Sequence, residues 1–311
     1  MNKFALLCPG QGAQSADMFA LAKQHDRAAS FIQDALSHKI EQHTLADALS
    51  SNRLLFENRN AQPLIVAATL ANWLALRDHL PAPDLIAGYS VGEIAAHAVS
   101  GSMDVQAALQ LATTRAALMQ ACVQEPQRML AVSGVAIIDI QQFAINHDLY
   151  VAIITADNKA IVAGLANKIS AAIPDIASLP GHDITHTEIA VHIASHTPLM
   201  QAAAPGFARL LNDTPMRETE IAVLAGINAE KITLSAITRS SLLAQLTQTI
   251  QWQACMDAMA ENGISYALEL GPGPALSKML QARHPQITCR SVADFRSLEG
   301  VIAWVQRQCD S

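Results

Sequence analysis

Three short apolar runs, each followed at once by proline or glycine, predict buried strands at residues 4–8, 85–87 and 266–270. A continuous apolar run of this length is typical of a strand that is covered on both faces. Between these runs, apolar residues at helical spacing predict a core helix over residues 62–80 and another helix over residues 104–121. The pattern therefore predicts a domain in which buried strands alternate with longer helices.

From about residue 128 the pattern changes to short β-branched runs separated by helical patches. The order strand, helix, strand, strand, helix, strand is that of a ferredoxin-like fold. We therefore predict a ferredoxin-like (βαββαβ) subdomain at residues 127–196, inserted into a larger domain formed by residues 1–126 and 197–311. Its strands are predicted at residues 129–135, 149–155, 160–162 and 188–193, and its helices at residues 139–146 and 165–173.

Composition excludes several classes of protein. Of the 311 residues, 51% are apolar and 15% are charged, which is typical of a compact globular enzyme. The net charge of -7, without a basic segment, argues against binding to nucleic acid or to an anionic membrane. The longest apolar stretch, residues 63–71, is too short to span a bilayer, and residues 4–8 are too short for the core of a secretory signal. The five cysteines are widely spaced and lack a CxxC pair, so we expect a cytoplasmic protein without disulfides or a metal site.

Residues 88–92, Gly-Tyr-Ser-Val-Gly, match the G-x-S-x-G turn that carries a nucleophilic serine. The predicted strand before this turn and a predicted helix over residues 93–99 are the context that the motif requires. The turn would present the Ser90 hydroxyl at the amino end of the helix, where N–H groups such as that of Val91 can stabilise an oxyanion. The alternative is that Ser90 only caps a helix between two closely packed glycines.

A serine nucleophile needs a base, and one of the eleven histidines is expected to supply it. His196 is the best candidate because it follows the last predicted strand and precedes Pro198, a residue that the first turn of a helix accepts. Its rivals on sequence spacing alone are His182, His186 and His192. Any of these histidines, taken singly, is more often solvated or hydrogen-bonded than catalytic.

Five separated motifs occur together in one order along the chain. They are residues 9–14 (PGQGAQ), residues 88–93 (GYSVGE), Arg115 with Met119 and Gln120, Ser195 with His196, and Gln245 upstream of Trp252 leading to residues 269–273 (ELGPG). In this combination the chain resembles the malonyl-CoA:acyl-carrier-protein transacylases of fatty acid and polyketide synthesis, from the first strand to beyond residue 280. The resemblance implies an α/β fold, with an α/β-hydrolase-like large domain that contains a parallel sheet, an inserted ferredoxin-like subdomain, and the site in the groove between them.

The resemblance also implies roles for individual residues. Ser90 matches the serine that is acylated, and His196 matches the histidine that is its base. The backbone N–H groups of Gln11 and Val91 match the oxyanion hole. Gln245 matches the position whose backbone carbonyl orients the histidine in place of the acid of an ordinary triad. No metal or redox cofactor is implied, and malonyl-CoA is expected only as a substrate.

Arg115 matches the arginine that binds the free carboxylate of malonate in this family. A guanidinium can hold a carboxylate through two charge-assisted hydrogen bonds, which distinguishes malonyl from acetyl more strongly than size can. From the residues alone, Arg115 on its Ala-rich helix could instead point to solvent or pair with an acid.

Two positions depart from the pattern of the fatty-acid enzymes. Tyr89 stands where histidine is common, and Ala116 replaces the glycine that follows the arginine. The runs over residues 88–97 and 194–198 look closer to the transacylase (epsilon) subunit of bacterial malonate decarboxylase. We therefore expect a malonyltransferase that serves malonate decarboxylase, with the transacylase of fatty acid or polyketide synthesis as the alternative.

The expected reaction moves malonyl from malonyl-CoA to the thiol of an acyl-carrier protein, the expected partner, through a malonyl ester on Ser90. A serine esterase or thioesterase is a more distant alternative. The lack of a well-placed acid ahead of His196, and the presence of Gln11 and Arg115, argue against it. A non-catalytic carrier-docking protein with the same fold is a further alternative, which the combination of Ser90, His196 and Arg115 disfavours.

Overall fold

The computed structural model describes residues 2–310, which form two main sheets surrounded by helices. In chain order, strands β1 to β13 are Lys3–Cys8, Lys39–Ile40, His43–Thr44, Leu85–Gly88, Gln127–Val135, Tyr150–Ala156, Lys159–Leu165, Gly181–Ile189, Ala222–Leu224, Lys231–Ile232, Ile250–Gln251, Ile264–Glu269 and Thr288–Ser291. Helices α1 to α12 are Asp26–Ser37, Leu45–Leu49, Asn58–Leu76, Gly92–Val99, Val105–Ala121, Ile137–Asn146, Ala166–Ile176, Ala204–Asp213, Ser235–Ala244, Trp252–Glu261, Ala275–Arg283 and Leu298–Asp310. Short 3₁₀ turns cover Ala22–Gln24, Leu54–Phe56, Pro198–Ala203 and Val292–Asp294.

The larger sheet has six strands in the order β10-β9-β4-β1-β12-β13, and all its neighbours are parallel except β9 and β10. Successive residues of the central strand β1 enter different apolar clusters: Leu6 packs in one and Leu7 in the other, and both are fully buried. Coverage on both faces explains why this strand is a continuous apolar run. The predicted α/β fold with a parallel sheet is confirmed.

The smaller sheet has the order β11-β6-β7-β5-β8, and its five strands are antiparallel neighbours except for the parallel pair β11 and β6. Helices α6 and α7 cover one face, where residues such as Leu130 and Val132 pack. The alternate residues Met129, Ile153 and Ile161 belong to the apolar cluster that also covers the larger sheet. The smaller sheet therefore faces the larger one across an apolar boundary, and alternate residues along each strand supply its two faces.

The last strand of this sheet is not where the sequence predicted it. The expected strand over residues 188–193 is replaced by β8, Gly181–Ile189, which pairs with β5 at the edge of the sheet. Most of its side chains are exposed and polar, among them His182 and His186. An edge strand with a solvated face carries no apolar signal, so the pattern missed it. The apolar residues Ile193 and Ala194 that follow are buried outside the sheet.

Helix α3 also begins earlier than predicted, at Asn58, and ends at Leu76. Its first turns carry the buried polar side chains of Asn58, Asn60 and Gln62, which apolar periodicity does not detect. These amides face the interior, and two of them contribute to the site described below. Within residues 2–310, no helix has the length and apolarity that crossing a membrane requires.

The turn between β4 and α4 is packed directly against the carboxyl end of β1. A Cβ atom at Gly92 would lie 2.1 Å from the carbonyl oxygen of Cys8 and 2.5 Å from that of Pro9. A Cβ atom at Gly88 would lie 2.3 Å from the backbone of Glu93. These separations are far below van der Waals contact, so a side chain at either glycine would force the backbone apart. The two glycines thus hold the start of α4 at the edge where β1 and β4 end.

We predict that Gly92→Ala lowers the free energy of unfolding by at least about 2 kcal/mol, because the added methyl group overlaps two backbone carbonyls. Urea unfolding followed by circular dichroism measures the change. The matched control is Gly300→Ala in α12, where the nearest atom to a new Cβ is the Phe295 Cδ1 at an ordinary 3.5 Å. This control should be neutral or more stable by up to about 1 kcal/mol, since alanine is the better helix former. A Gly92→Ala protein as stable as the native chain would contradict the prediction.

Candidate active site

Ser90 lies at the tip of the sharp turn between β4 and α4. Its backbone has a φ of 55°, in the left-handed region that non-glycine residues seldom adopt. The turn is held on both sides, because Tyr89 N–H donates to the Cys8 carbonyl over 2.9 Å and Gly92 N–H donates to the Tyr89 carbonyl over 3.0 Å. Such strain at a turn persists only where the surroundings fix it, and it concentrates at functional sites.

The side chain of His196 lies between Ser90 and a backbone carbonyl. Its Nε2 is 2.8 Å from the Ser90 Oγ, and its Nδ1 is 2.6 Å from the Gln245 carbonyl oxygen. A carbonyl can only accept a hydrogen bond, so Nδ1 carries the proton and Nε2 is left with a lone pair towards the serine. The backbone of His196 is fixed as well, since its N–H donates to the Leu246 carbonyl over 3.0 Å. This arrangement can take a proton from the Ser90 hydroxyl.

The three rival histidines occupy different surroundings. His182, His186 and His192 are exposed, whereas only 2% of the His196 surface is accessible. Burial, together with the positive charge of Arg115, lowers the pKa of His196 to about 3, although the hydrogen bond to Gln245 acts in the opposite direction. The imidazole is therefore neutral at ordinary pH and is in the form that can act as a base.

Of the two residues predicted to form an oxyanion hole, Val91 follows Ser90 in the chain and Gln11 lines the same cavity as Ser90. Val91 directly precedes α4, so its N–H belongs to the first turn, where N–H groups have no partner within the helix. The loop after β1 passes close over the turn, because a Cβ at Gly10 would lie 2.8 Å from the Tyr89 carbonyl oxygen. This loop brings Gln11 to the cavity that Ser90 also lines. Their roles in stabilising an oxyanion stay predictions.

A cavity of about 370 Å³ opens beside Ser90 and His196, and its walls come from strands of the smaller sheet and from segments that follow strands of the larger sheet. The smaller sheet supplies an apolar wall, which includes the side chains of Met129, Ile153, Ile161 and Ile189. The opposite wall includes the loop after β1 and residues of α11 such as Leu276. A mostly apolar cavity with a few polar groups at the reacting end can hold a slender chain and keep water from an ester.

Arg115 does not point to solvent. Only 2% of its surface is accessible, and its guanidinium donates to the amide oxygens of Gln62 over 2.6 Å and of Gln245 over 3.1 Å. Burial lowers its pKa to about 10, which the negative charge of Glu93 opposes, so the group is a cation at neutral pH. The two bonds engage two of the five N–H groups of a guanidinium. Arg115 is not one of the residues that line the cavity.

The sequence analysis missed the polar residues that surround Arg115. Glu93 is fully buried, and burial raises its pKa to about 7 against the hydrogen bonds that it accepts. Gln62 donates to the Asn58 Oδ1 over 2.7 Å, and the Gln11 side chain donates to the same oxygen over 3.2 Å. Two signals were present, since Glu93 belongs to the serine motif and Asn58 and Gln62 are spaced by one helical turn. Gln245 joins these residues to His196.

Known proteins are similar to this chain in sequence and in fold. The model of the acyl transferase domain family matches residues 5–304. A Mycobacterium tuberculosis protein named malonyl CoA-acyl carrier protein transacylase is 32% identical over 301 residues, which cover 95% of this chain and 98% of that protein. A Haemophilus influenzae protein of the same name is 28% identical over 318 residues, which cover 96% of this chain and 99% of that protein. The crystal structure of FabD from Acinetobacter baumannii matches with a TM-score of 0.87 and 29% identity, covering 98% of this chain and 99% of that one.

We predict that Ser90 reacts with a neutral fluorophosphonate at a rate that changes less than about twofold between about pH 7.5 and about pH 5. The lowered pKa of His196 keeps its imidazole neutral as the pH falls through this range. An exposed histidine with a pKa of about 6.5 would lose about thirtyfold at the lower pH. Mass spectrometry of the intact protein, on samples quenched at successive times, gives the labelling rate, and Ser90→Ala is the negative control. A rate that falls with a midpoint near pH 6.5 would contradict the prediction.

Proposed function

The chain belongs to the acyl transferase domain family, and from this premise we propose that it transfers a malonyl group from malonyl-CoA to the thiol of an acyl carrier protein. The observation that carries the proposal is that Gln245 contacts both His196 and Arg115. Its backbone carbonyl holds His196 against Ser90, and its side chain holds the buried cation of Arg115. One residue thus couples a nucleophile to a group suited to a carboxylate, which is the combination that a malonyl thioester requires.

In the first step of the proposed reaction, the Ser90 Oγ attacks the thioester carbonyl carbon of malonyl-CoA while His196 Nε2 takes the hydroxyl proton. The carbonyl oxygen becomes an oxyanion, which the N–H groups of Gln11 and Val91 would stabilise. The C–S bond then breaks, and the leaving sulfur takes the proton from His196 to give free coenzyme A as a thiol. The product is a malonyl ester of Ser90.

In the second step, the carrier's thiol enters the site and gives its proton to His196. The sulfur attacks the ester carbonyl, the bond to the Ser90 oxygen breaks, and that oxygen recovers the proton. The malonyl group leaves as a thioester of the carrier, and the enzyme is regenerated. Because one thioester replaces another, the free energy of the overall reaction is close to zero. The protein must mainly lower the activation barriers and keep water from the ester.

Two carriers are open to this chemistry. The relatives described above are named as malonyl CoA-acyl carrier protein transacylases, which supports the carrier of fatty acid or polyketide synthesis over that of malonate decarboxylase. The decarboxylase interpretation rests on the sequence alone, around Tyr89 and over residues 194–198. Tyr89, which stands where the fatty-acid enzymes commonly have histidine, lines the cavity and packs edge-on against Trp252, with ring centroids 5.3 Å apart. We therefore favour the first carrier and retain the second as a candidate.

We predict that the intact protein gains one malonyl group when it is mixed with malonyl-CoA, and that Ser90→Ala gains none. Loss of the nucleophile also removes several powers of ten from transfer to the carrier. Mass spectrometry of the intact protein, followed by peptide mapping, measures the adduct and its position. A malonyl group that still forms on the Ser90→Ala protein, at another residue, would refute the assignment of the nucleophile.

We predict that Arg115→Ala loses malonyl transfer by about 2–4 kcal/mol and acetyl transfer by much less, because only the dicarboxylate needs the cation. The rates of acyl-enzyme formation from malonyl-CoA and acetyl-CoA measure the difference. Arg27→Ala, which removes a surface ion pair with Asp78, is the control and should change neither rate. Equal losses with the two substrates would show that Arg115 is structural, and that no carboxylate reaches its remaining N–H groups.

We predict that the malonyl-enzyme charges an ordinary fatty-acid carrier protein at least about tenfold faster than a malonate decarboxylase carrier. The decarboxylase carrier bears an arm derived from dephospho-coenzyme A, whereas the fatty-acid carrier bears plain phosphopantetheine. An enzyme adapted to the longer arm would hold its nucleotide portion and gain rate from that remote contact. Single-turnover transfer to each carrier measures the preference. The opposite preference would contradict this prediction and identify the malonate decarboxylase carrier as the acceptor, with the proposed chemistry at Ser90 unchanged.

A further inference from the structure

Glu93 is a buried carboxylate for which the proposed reaction has no use. It is the second residue of α4, three positions after Ser90, and none of its surface is accessible. Three groups donate to it: the Gly226 N–H over 3.0 Å, the Ser241 hydroxyl over 3.1 Å and the Gln245 side-chain amide over 2.5 Å. A buried carboxylate that merely filled space would be costly, so its position calls for a physical explanation.

The side chain of Gln245 lies between Glu93 and Arg115. Its Nε2 donates to the Glu93 Oε2, and its Oε1 accepts from the Arg115 guanidinium. The two ends of a glutamine amide have nearly the same shape, and only the hydrogen-bond partners decide which end faces which way. A guanidinium has donors only, so a reversed amide would place its NH₂ group against the donors of Arg115. The carboxylate on the other side excludes that reversed orientation.

We infer that Glu93 is a positioning residue, which fixes the Gln245 amide with its oxygen towards Arg115 and thereby aims the guanidinium at the malonyl carboxylate. The inference rests on the proposed function and extends it to a residue outside the reacting groups. Three features of the geometry support it. Glu93 meets Arg115 only through Gln245 among the hydrogen bonds described, Gln245 also holds His196, and Gly226 packs so closely that its Cβ would lie 2.8 Å from the Glu93 Oε2.

A second explanation of Glu93 is that it only supplies negative charge to the buried Arg115. The two explanations differ in what the side chain must keep. As a positioning residue, Glu93 must place an acceptor at the present site of Oε2, whether or not it is charged. As a counter-charge, Glu93 must be ionised, and the exact position of its carboxylate oxygens matters less. Burial raises the pKa of Glu93 to about 7, against the lowering by its hydrogen bonds and by the charge of Arg115, so burial opposes the ionised form that a counter-charge needs.

Two substitutions separate these explanations. Glu93→Gln keeps an oxygen within reach of the Gln245 Nε2, and its new NH₂ group can donate to the Ser241 hydroxyl, but it removes the charge. Glu93→Asp keeps the charge and retracts the carboxylate by roughly 1.5 Å, the length of one carbon–carbon bond, which breaks the contact with Gln245. Either change is milder than removal of the side chain, so both proteins are suited to measurement.

The experiment measures kcat/KM for acyl-enzyme formation from malonyl-CoA and from acetyl-CoA, with active sites counted by fluorophosphonate labelling of Ser90. We expect Glu93→Asp to lower the malonyl-to-acetyl ratio about tenfold, mainly through a higher KM for malonyl-CoA, because a buried hydrogen bond is lost. We expect Glu93→Gln to keep the ratio within about threefold of the native value. If Glu93→Gln lowers the ratio as much as Glu93→Asp does, or if neither substitution changes it, the positioning role is refuted.

Glu269 offers a matched control. It is also fully buried with a pKa raised to about 7, but it accepts the N–H groups of Leu276 and Ser277 at the start of α11. Glu269→Asp and Glu269→Gln should lower stability and leave the malonyl-to-acetyl ratio unchanged. A fall in the ratio equal to that of Glu93→Asp would show a general effect of disturbing a buried carboxylate, and would overturn the inference. If the native enzyme does not favour malonyl-CoA over acetyl-CoA, the proposed function itself is refuted. If the native enzyme and the Glu93→Asp variant both favour malonyl-CoA to the same degree, only the role of Glu93 is refuted.

Discussion

The hydrogen bond from His196 Nδ1 to the Gln245 carbonyl is the constraint on which the rest of the site depends. A carbonyl cannot take up a proton, so this bond fixes the tautomer of the imidazole without adding a second titrating group. An acid in the same place would add a negative charge and raise the pKa of the histidine. With a neutral partner and a buried ring, the imidazole is uncharged at neutral pH, and its lone pair is directed at Ser90. The side chain of the same glutamine is free to serve Arg115.

The residues of this site are far apart in the chain. The fold brings them together because they lie at or beside the ends of its strands and helices. Ser90 lies between the end of β4 and the start of α4, and the loop of Gln11 lies at the end of β1 beside it. In a parallel sheet the carboxyl ends of neighbouring strands meet at one edge, which is where such folds place their ligands. His196 reaches this edge because the chain leaves the smaller sheet after β8 and passes back to the larger one. The apolar wall of the smaller sheet then closes the cavity.

Local sequence predicted much of this, and the failures have physical reasons. The central strands were correctly predicted because they are covered on both faces and are therefore apolar throughout, and the strand, turn and helix around Ser90 were correctly predicted because the turn has a fixed spacing of glycines. Strand β8 was misplaced because its residues are polar and exposed at a sheet edge. Asn58, Gln62 and Glu93 were missed because a buried polar group is defined by partners elsewhere in the chain, and no local pattern records those partners. The meeting of residues 93, 115 and 245 is a property of the fold alone.

The backbone of Ser90 and His196, the two residues of the proposed reaction, has a further consequence. Ser90 and His196 have φ values of 55° and 62°, so both occupy a conformation that costs a residue with a side chain roughly 1–2 kcal/mol. Glycine would adopt either conformation without that cost, at the loss of the hydroxyl or the imidazole. The two residues therefore lower the stability locally, and the surrounding packing must offset that loss. At these two positions, therefore, the substitution that would relieve the backbone would also remove a group that the proposed reaction needs, so stability and the proposed activity oppose each other there.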